Sequence, residues 1–289
     1  MSFEIVTDST SNLSLEQIKK KDIKIISLSY FVDGTEYCGH EQWLKGDCSV
    51  FFKQLKEKRQ MTTSLPPYGE YAPMFKALAS EHKDILYLGF SSGLSGTFNT
   101  VEHFLVDLQE QYPEQKIRAI DTLCASCGEG LIVDYAVKLR DEGKTIDEVY
   151  EYLQKFKFKI CHEFLLDDLF YINRGGRLSF TSAIAGSILQ IKPLLHVMNN
   201  GLPEITQKVR GRKAGLNALV DHLEKMMDPQ ECKMVYICHA NCENDAKELA
   251  QLIKKRLRIK NCVIRYSDPI IGLHTGSGAI GIFFVGNAR

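Results

Sequence analysis

Short apolar runs alternate with amphipathic segments along the first half of the chain. Residues 3–6, 23–32, 85–90 and 117–120 are such runs, and each predicts a strand. Apolar positions recur at helical spacing over residues 98–108, directly after the third run, and predict a helix. This alternation is typical of a mostly parallel sheet with flanking helices.

Capping boxes mark two helix starts in this half. Ser14 with Gln17, and Thr145 with Glu148, have the spacing at which two side chains satisfy each other's backbone N–H groups. The second box predicts a helix over residues 146–156.

The second half is predicted to be mixed α/β with antiparallel pairing. Residues 194–198 and 204–209 flank an Asn-Asn-Gly turn and predict a hairpin. Further elements are expected as strands at 234–238, 263–266 and 280–285 and as helices at 214–227 and 246–257. We therefore expect an α/β protein of two domains, residues 1–157 and residues 158–289.

Composition excludes several function classes. The 289 residues are 44% hydrophobic and 25% charged, as in an ordinary globular protein, and 36 basic residues balance 36 acidic ones. Zero net charge disfavours a general nucleic-acid binder. The N-terminus has no secretory-signal pattern, and the uncharged stretch 269–288 is too polar and glycine-rich for a membrane span. We expect a cytoplasmic protein that does not insert stably into membranes.

The nine cysteines are expected to be mostly reduced, because an odd number without an export signal does not suggest a disulfide framework. Two spacings, Cys124 with Cys127 and Cys238-His239 with Cys242, could build either a structural zinc site or a redox pair. The sequence has no second cysteine pair of matching spacing, so buried thiols are favoured and neither a metal nor a cofactor is expected. A redox role for Cys124 and Cys127 stays open.

A hydroxyl-rich turn, Ser-Ser-Gly-Leu-Ser-Gly-Thr at residues 91–97, joins a predicted strand to a predicted helix. Ligands of open α/β sheets bind at such strand ends, and a helix N-terminus favours an anion. The hydroxyls and free backbone N–H groups of this turn predict an anion site, with a solvated turn as the alternative. A second polar turn, residues 62–67, contributes only if its hydroxyls lie near Ser95.

Two cationic segments occur in the second half. Arg-Gly-Gly-Arg at residues 174–177 suits a phosphate or a carboxylate, or it ends a helix whose dipole the arginines complement. A basic strip lacking neighbouring acids follows at Lys208, Arg210, Arg212 and Lys213. This strip favours contact with a phosphate or a protein partner, with simple solvated charge as the alternative.

His274 stands just before a glycine-rich turn, Gly-Ser-Gly-Ala-Ile-Gly at residues 276–281. The turn matches a dinucleotide fingerprint, but too few residues follow it for a Rossmann unit. We expect its glycines to allow a sharp turn or a close approach to a ligand, with His274 as a candidate ligand contact.

The sequence has no nucleophile elbow, no metalloprotease motif and no kinase catalytic loop. Asp8 and Asp121 stand at predicted strand ends, where an aspartate either caps a turn or acts in acid–base chemistry. With the cations of residues 174–177 they define the alternative function, a phosphoryl-transfer enzyme. A nucleic-acid regulator acting through residues 254–260 or 208–213 is a third possibility.

Taken in order, these segments resemble the motifs of the DegV family. The motifs are Thr-Asp-Ser-Thr at 7–10, Thr-Ser-x-Pro at 63–66, the turn at 91–97, Asp-Thr at 121–122, Arg-Gly-Gly-Arg-x-Ser at 174–179, Lys-Pro at 192–193 and His-Thr-Gly-x-Gly at 274–278. The resemblance covers essentially the whole chain. It implies a two-domain fold with a long-chain fatty acid bound in a tunnel between the domains.

The resemblance also implies a role as the non-catalytic, fatty-acid-binding subunit of bacterial fatty acid kinase. In that system a separate kinase subunit carries ATP and phosphorylates the bound carboxylate, giving an acyl phosphate for phospholipid synthesis. The carboxylate contacts fall on Thr63, Ser95 and His274, with Ser64, Ser92, Gly96 and Thr275 beside them. The kinase-facing surface falls on Lys208, Arg210 and Arg212. Two positions, Leu65 and Ser277, depart from the Gln and Pro that the family often has there.

Overall fold

The computed structural model describes residues 3–38, 40–178 and 191–289, without the side chains of Glu41 and Gln42. Ser179, the last residue of the Arg-Gly-Gly-Arg-x-Ser motif, lies outside the described residues. Within those ranges, no helix combines the length and the apolar character needed to cross a membrane.

The chain divides into two compact units. The first consists of Met1–Gly46 and Gln60–Lys157, and the second consists of Asp47–Arg59 and Phe158–Arg289. The change of unit after Lys157 lies where the sequence places its domain boundary, whereas Asp47–Arg59 was expected in the first domain.

The chain up to Lys157 forms a parallel sheet with helices and a small antiparallel sheet. In chain order the elements are β1 (Glu4–Asp8), α1 (Leu15–Lys20), β2 (Ile23–Ile26), β3 (Tyr30–Val32), β4 (Thr35–Tyr37), α2 (His40–Lys45), α3 (Cys48–Lys56), β5 (Met61–Thr63), α4 (Tyr68–Ser80), β6 (Ile85–Gly89), α5 (Thr97–Gln111), β7 (Ile117–Asp121), α6 (Cys127–Asp141) and α7 (Ile146–Phe156). The parallel sheet has the order β2-β1-β6-β7, and the antiparallel sheet has the order β4-β3-β5. The α/β fold predicted for this half is confirmed.

Strand β1 lies inside the parallel sheet, between β2 and β6. The chain therefore builds the sheet first to one side of β1 and later to the other, which makes the β1–β6 boundary a topological switch point. Ligands of open α/β sheets bind at the carboxyl ends of the strands beside such a point. Asp8 ends β1, and the turn at residues 91–97 follows β6.

Local signals for helix starts are confirmed, whereas one strand prediction is wrong. Ser14 and Gln17 form a capping box at α1, and Thr145 and Glu148 form one at α7. The run 23–32 is two strands, because β2 pairs parallel with β1 while β3 pairs antiparallel with β4 and β5. Apolar periodicity marks strand-forming residues but does not identify the partner strand.

The second unit is built on a six-stranded mixed sheet. The elements described after Lys157 are β8 (Ile160–Leu165), α8 (Phe170–Arg174), β9 (Ile191–Val197), β10 (Pro203–Arg210), α9 (Arg212–Met226), β11 (Met234–His239), α10 (Glu243–Leu257), β12 (Asn261–Tyr266), α11 (Pro269–Thr275) and β13 (Ile280–Val285). The strand order is β10-β9-β8-β13-β11-β12. Only β11 and β12 are parallel neighbours among these described strands. The predicted hairpin is β9 and β10, and the mixed α/β prediction is confirmed.

Helix α3 belongs to the second unit because of its aromatic side chains. Phe52 is fully buried, and its ring centroid lies 5.7 Å from that of Tyr266 at the end of β12. A Cβ built on Gly272 of α11 would lie 2.7 Å from the Phe52 ring. The spacing of apolar residues in a helix does not reveal which sheet it packs against, so residues 1–157 could not be divided further from the sequence.

Candidate functional site

The turn at residues 91–97 is held by carboxylates at the ends of two strands. Asp8, the last residue of β1, accepts the N–H of Phe90 at 2.9 Å through Oδ2. Asp121, the last residue of β7, accepts the N–H of Ser92 at 3.1 Å through Oδ1. These two hydrogen bonds fix the start of the turn at the carboxyl edge of the parallel sheet.

Further N–H groups of this turn have acceptors inside the protein. Those of Leu94 and Ser95 donate to the carbonyl of Ser91 at 3.0 and 3.1 Å. The N–H of Thr97 donates to Oγ of Ser95 at 3.2 Å. The expectation of free backbone N–H groups is therefore wrong for these residues, because the turn uses them to hold its own conformation. The hydroxyl groups of the turn are therefore better candidates as donors to an anion than the N–H groups of Leu94, Ser95 and Thr97.

The Ser95 hydroxyl is suited to donate to an anion. Its Oγ lies 2.9 Å from Oγ1 of Thr97 and also accepts the Thr97 N–H. When Thr97 donates its hydroxyl as well, both lone pairs of Ser95 Oγ are used and its own hydrogen is directed to another acceptor. Thr97 is buried and Ser95 is half-buried, so that acceptor can be a ligand carboxylate.

The turn that contains Thr63 and Ser64 lies beside the turn that contains Ser95. A Cβ built on Gly96 would lie 3.7 Å from Cδ2 of Leu65, an ordinary van der Waals distance. The two hydroxyl-rich turns are therefore neighbours within the first unit, in contact through Leu65 and Gly96. Convergence of the Thr63 and Ser64 hydroxyls with that of Ser95 stays a prediction. Ser64 gives its hydroxyl hydrogen to the carbonyl of Leu65 at 3.1 Å.

His274 lies on α11 in the second unit and packs against the end of α8. A Cβ built on Gly175 would overlap Nδ1 of the His274 imidazole. Gly175 caps α8, and Gly176 follows with a left-handed φ of +69°. The helix-ending interpretation of residues 174–177 is thereby confirmed, and Gly175 additionally leaves room for His274.

The electrostatic environment of His274 keeps its ring neutral. Burial, followed by the charges of Arg177 and Arg174, lowers the pKa of His274 to about 4. At neutral pH the imidazole therefore carries one N–H donor and one acceptor nitrogen. The same two guanidiniums favour an anion near His274, so the anion-site interpretation of residues 174–177 is compatible with the helix-ending one.

Thr275 does not present its hydroxyl hydrogen to a ligand in this conformation. Its Oγ1 donates to the carbonyl of Ile271 at 2.9 Å, one turn earlier in α11. A carboxylate would reach that hydrogen only after the hydroxyl rotates.

The glycines after Thr275 serve close packing of protein groups. Gly276 and Gly278 have left-handed φ values of +78° and +90°. A Cβ on Gly276 would overlap the Tyr171 ring, and one on Gly278 would overlap the Asp167 carboxylate. The groups nearest to a Cβ on these glycines are thus side chains of the same unit, and the sharp-turn expectation holds.

Within the basic strip, Arg212 forms two ion pairs, whereas Lys208, Arg210 and Lys213 are exposed. Nε of Arg212 lies 2.8 Å from Oδ2 of Asp245, and its Nη1 lies 3.1 Å from Oδ1 of Asp167. The expectation that the strip lacks neighbouring acids is therefore wrong for Arg212, because those acids come from distant parts of the sequence. The exposed members of the strip are Lys208, Arg210 and Lys213.

Neither aspartate of the alternative enzyme is placed as a general base. Asp8 has no exposed surface, and its side chain caps the short 3-10 turn Ser9–Ser11 by accepting the N–H of Thr10. Asp121 accepts the N–H groups of Ser92 and Leu123. Both side chains serve backbone positioning, so the capping interpretation is confirmed.

The metal and redox alternatives gain no support from the described part of the chain. There, no group of three or more His, Cys, Asp and Glu side chains is arranged to hold a metal ion. None of the nine cysteines forms a disulfide, and Cys124 and Cys127 are both buried.

The sequence analysis did not identify one buried acid, Glu129, which lies in the hydrogen-bond network next to the turn at residues 91–97. Glu129 of α6 has no exposed surface and accepts the hydroxyl of Thr7 at 2.9 Å. The signal was present, since Ile132, Val133 and Ala136 lie on the same helical face as Glu129 and are fully buried. An acid on an apolar face needs hydrogen-bond partners and therefore marks a buried polar network.

A parallel α/β unit and a mixed α/β unit together form the two-domain α/β fold that the sequence resemblance implies. The model of the family described as "Uncharacterised protein, DegV family" matches residues 2–287. This chain belongs to the DegV family. The sequence resemblance is thus confirmed.

Relatives match along the whole chain. A DegV domain-containing protein of Clostridium perfringens is 37% identical over 290 residues, covering 99% of this chain and 98% of the relative. One from Lactococcus lactis is 34% identical over 287 residues, covering 99% of this chain and 98% of the relative.

Solved structures of two fatty-acid-binding DegV proteins are also similar. The one from Streptococcus agalactiae has a TM-score of 0.87 and 26% identity, and 99% of each chain is covered. The one from Bacillus subtilis has a TM-score of 0.84 and 26% identity, covering 99% of this chain and 100% of that one. Both matches confirm the fold.

Proposed function

We propose that this protein binds a long-chain fatty acid and presents its carboxylate to a separate ATP-dependent fatty acid kinase subunit, which forms the acyl phosphate. The observation that carries the proposal is the whole-length similarity to solved fatty-acid-binding DegV proteins at 26% identity. In this role the chain is a lipid-binding subunit with the fatty acid as its ligand, and the kinase subunit supplies the nucleotide chemistry.

The proposed donors to the carboxylate are the hydroxyls of Thr63 and Ser95 and the neutral imidazole of His274. Each CH₂ group removed from water contributes about 0.8 kcal/mol, so an acyl chain supplies most of the binding free energy. The polar groups then need only to orient the carboxylate. Neutral donors hold it without a bidentate guanidinium, which leaves an oxygen able to attack the γ-phosphoryl group of ATP.

The neighbouring candidates take supporting roles in this proposal. Ser92 and Gly96 shape the turn that carries Ser95, since the Ser92 N–H is held by Asp121. Ser64 and Thr275 donate their hydroxyl hydrogens to protein carbonyls.

The proposed docking surface for the kinase subunit consists of Lys208 and Arg210. Both side chains are exposed on β10, an edge strand of the six-stranded sheet. Exposed cations steer an acidic partner and raise its association rate. Arg212 contributes indirectly, because its ion pairs with Asp167 and Asp245 hold the start of α9.

Thermal unfolding of delipidated protein tests the lipid proposal. We expect palmitate to raise the melting temperature, since a ligand at a hundred times its Kd stabilises the folded state by about 2.7 kcal/mol. Butyrate, which has the same carboxylate and almost no chain, is the matched control and should leave the melting temperature unchanged. No shift with any long-chain acid would overturn the proposal.

A phosphoryl-transfer assay tests whether this chain only binds the fatty acid while the separate kinase subunit performs the reaction. With ATP and palmitate, acyl phosphate should form only when the kinase subunit is added. Acyl phosphate formed by the isolated chain would instead establish the phosphoryl-transfer enzyme.

A further inference from the structure

A buried hydrogen-bond chain joins two carboxyl groups next to the turn at residues 91–97. Oγ1 of Thr10 lies 2.5 Å from Oδ1 of Asp8 and 2.8 Å from Oε2 of Glu129. Oε1 of Glu129 accepts the hydroxyl of Thr7 at 2.9 Å. All four side chains have no exposed surface. The hydrogens between these oxygens therefore come from the side chains themselves.

Counting these hydrogens places one proton on the carboxyl pair. The Thr10 hydroxyl has a single hydrogen and can give it to only one of the two carboxyl oxygens. The other contact needs a hydrogen from a carboxyl group, given to Thr10 or directly to the second carboxyl group, so one of the two is protonated. Asp8 also accepts the N–H of Thr10 at 3.0 Å and that of Phe90 at 2.9 Å, and both bonds favour its charged form. Glu129 is therefore the protonated member.

The electrostatics agree with this assignment. Burial raises the pKa of Glu129 well above its ordinary value, and the charge of Asp8 raises it further. Burial also raises the pKa of Asp8 above its ordinary value, but its hydrogen bonds with Thr10, Phe90 and Glu129 offset part of that rise. A single negative charge, rather than two, is thus kept in the interior, where an unpaired second charge would be costly.

We propose that Glu129 and Asp8 share one proton through Thr10, and that this chain positions the turn that carries Ser95. Asp8 keeps both of its oxygens as acceptors, one for Thr10 and one for the N–H of Phe90 at the start of the turn. Asp8 and Glu129 are positioning residues, since neither reaches the surface. The consequence for binding rests on the proposed function, because the placement of Ser95 matters only if a carboxylate binds there.

Two variants of Glu129 distinguish the effect of the hydrogen-bond chain from the effect of side-chain packing alone. Glu129→Leu keeps the volume but cannot donate to Thr10. In Glu129→Gln, the amide N–H donates to Thr10 and the amide oxygen accepts from Thr7, so the chain is restored. Hydrogen exchange of residues 90–97 in ligand-free protein and the affinity for palmitate are the two readouts.

We expect Glu129→Leu to speed the exchange of residues 90–97 and to weaken palmitate binding about tenfold, the effect of losing one buried hydrogen bond. Glu129→Gln should return both quantities to the wild-type range. Equal behaviour of the two variants, or weaker binding with unchanged exchange in the turn, would overturn the proposal.

Infrared spectroscopy tests the shared proton even if Glu129→Leu fails to fold. Wild-type protein at neutral pH should show the carbonyl band of a protonated carboxylic acid, and Glu129→Gln should lack it. Absence of this band from the wild type would contradict the protonation of Glu129. Exchange and infrared results do not involve lipid, so they decide the positioning claim even if the wild-type protein binds no palmitate and the proposed function fails.

Discussion

The imidazole of His274 occupies the space that a Cβ of Gly175 would fill. The φ of Gly175 is −72°, which any residue adopts, so its neighbour rather than its backbone requires the glycine. The Arg-Gly-Gly-Arg and His-Thr-Gly motifs therefore depend on each other for the placement of one ring.

Gly175→Ala should displace His274 and weaken palmitate binding, because the new methyl group takes the place of Nδ1. Gly176→Ala is the matched control. Among the described residues, nothing lies within 4 Å of a Cβ built there, so this variant should lose only about 1 kcal/mol of stability to its left-handed φ. Calorimetric titration of both variants with palmitate measures the difference. Equal affinities for the two would show that Gly175 is not needed for the position of His274.

His274 should make the ligand-free protein less stable in mild acid. Its pKa is about 4 in the folded state against an ordinary value of 6.5, so the unfolded chain binds more protons between these values. The free energy of unfolding therefore falls as the pH is lowered through this window. Urea unfolding of the wild type and of His274→Gln should give a steeper fall for the wild type.

Other buried histidines do not affect the difference between wild type and His274→Gln in the pH dependence of the free energy of unfolding. His40, His162 and His239 also have pKa values lowered by burial, but they are present in both proteins. Parallel stability curves for wild type and His274→Gln would contradict the neutral state assigned to this ring.

Ser95→Ala should reduce acyl phosphate formation more than it reduces lipid retention. The acyl chain supplies most of the binding free energy, whereas the Ser95 hydroxyl orients the carboxylate. The variant also loses the hydrogen bond that the Ser95 hydroxyl accepts from the Thr97 N–H, worth about 1 kcal/mol. Ser14→Ala removes a backbone hydrogen bond of the same kind at the start of α1 and is the control for stability. Kinase-coupled turnover and bound-lipid content should be measured on the same samples. Loss of lipid with normal turnover per bound lipid would contradict this role for Ser95.

Arg210→Glu should slow association with the kinase subunit, most strongly at low salt, because exposed charges act mainly through steering. Lys255→Glu reverses another exposed cation of the same unit and should leave the rate unchanged. Arg212→Glu should lower the melting temperature instead, since it places like charges beside Asp167 and Asp245. Association rates measured at two ionic strengths test this docking surface. Identical rates for wild type and Arg210→Glu would show that β10 does not contact the kinase subunit.

Much of the fold followed from local pattern. The capping boxes at Ser14 and Thr145 were predictable because both partners lie within one helical turn. The turn at residues 91–97 could likewise be located from its strand and helix. The split of residues 23–32 into two strands could not, because strand pairing depends on partners far away in sequence.

The site was less predictable for the same reason. The acids that pair with Arg212 lie at Asp167 and Asp245, and no spacing rule connects them. The Thr10 bridge between Asp8 and Glu129 joins residues more than a hundred positions apart. Residue types could therefore identify the hydroxyls and His274 as candidate donors to a ligand. They could not identify the ion pairs and hydrogen bonds between residues distant in sequence.

Native mass spectrometry of freshly purified protein decides whether this chain binds a fatty acid. The intact folded protein should carry the added mass of one long-chain fatty acid, which should disappear on denaturation and be recovered by extraction. A mass equal to that of the polypeptide alone, together with no uptake of palmitate by the delipidated protein, would contradict the proposed function.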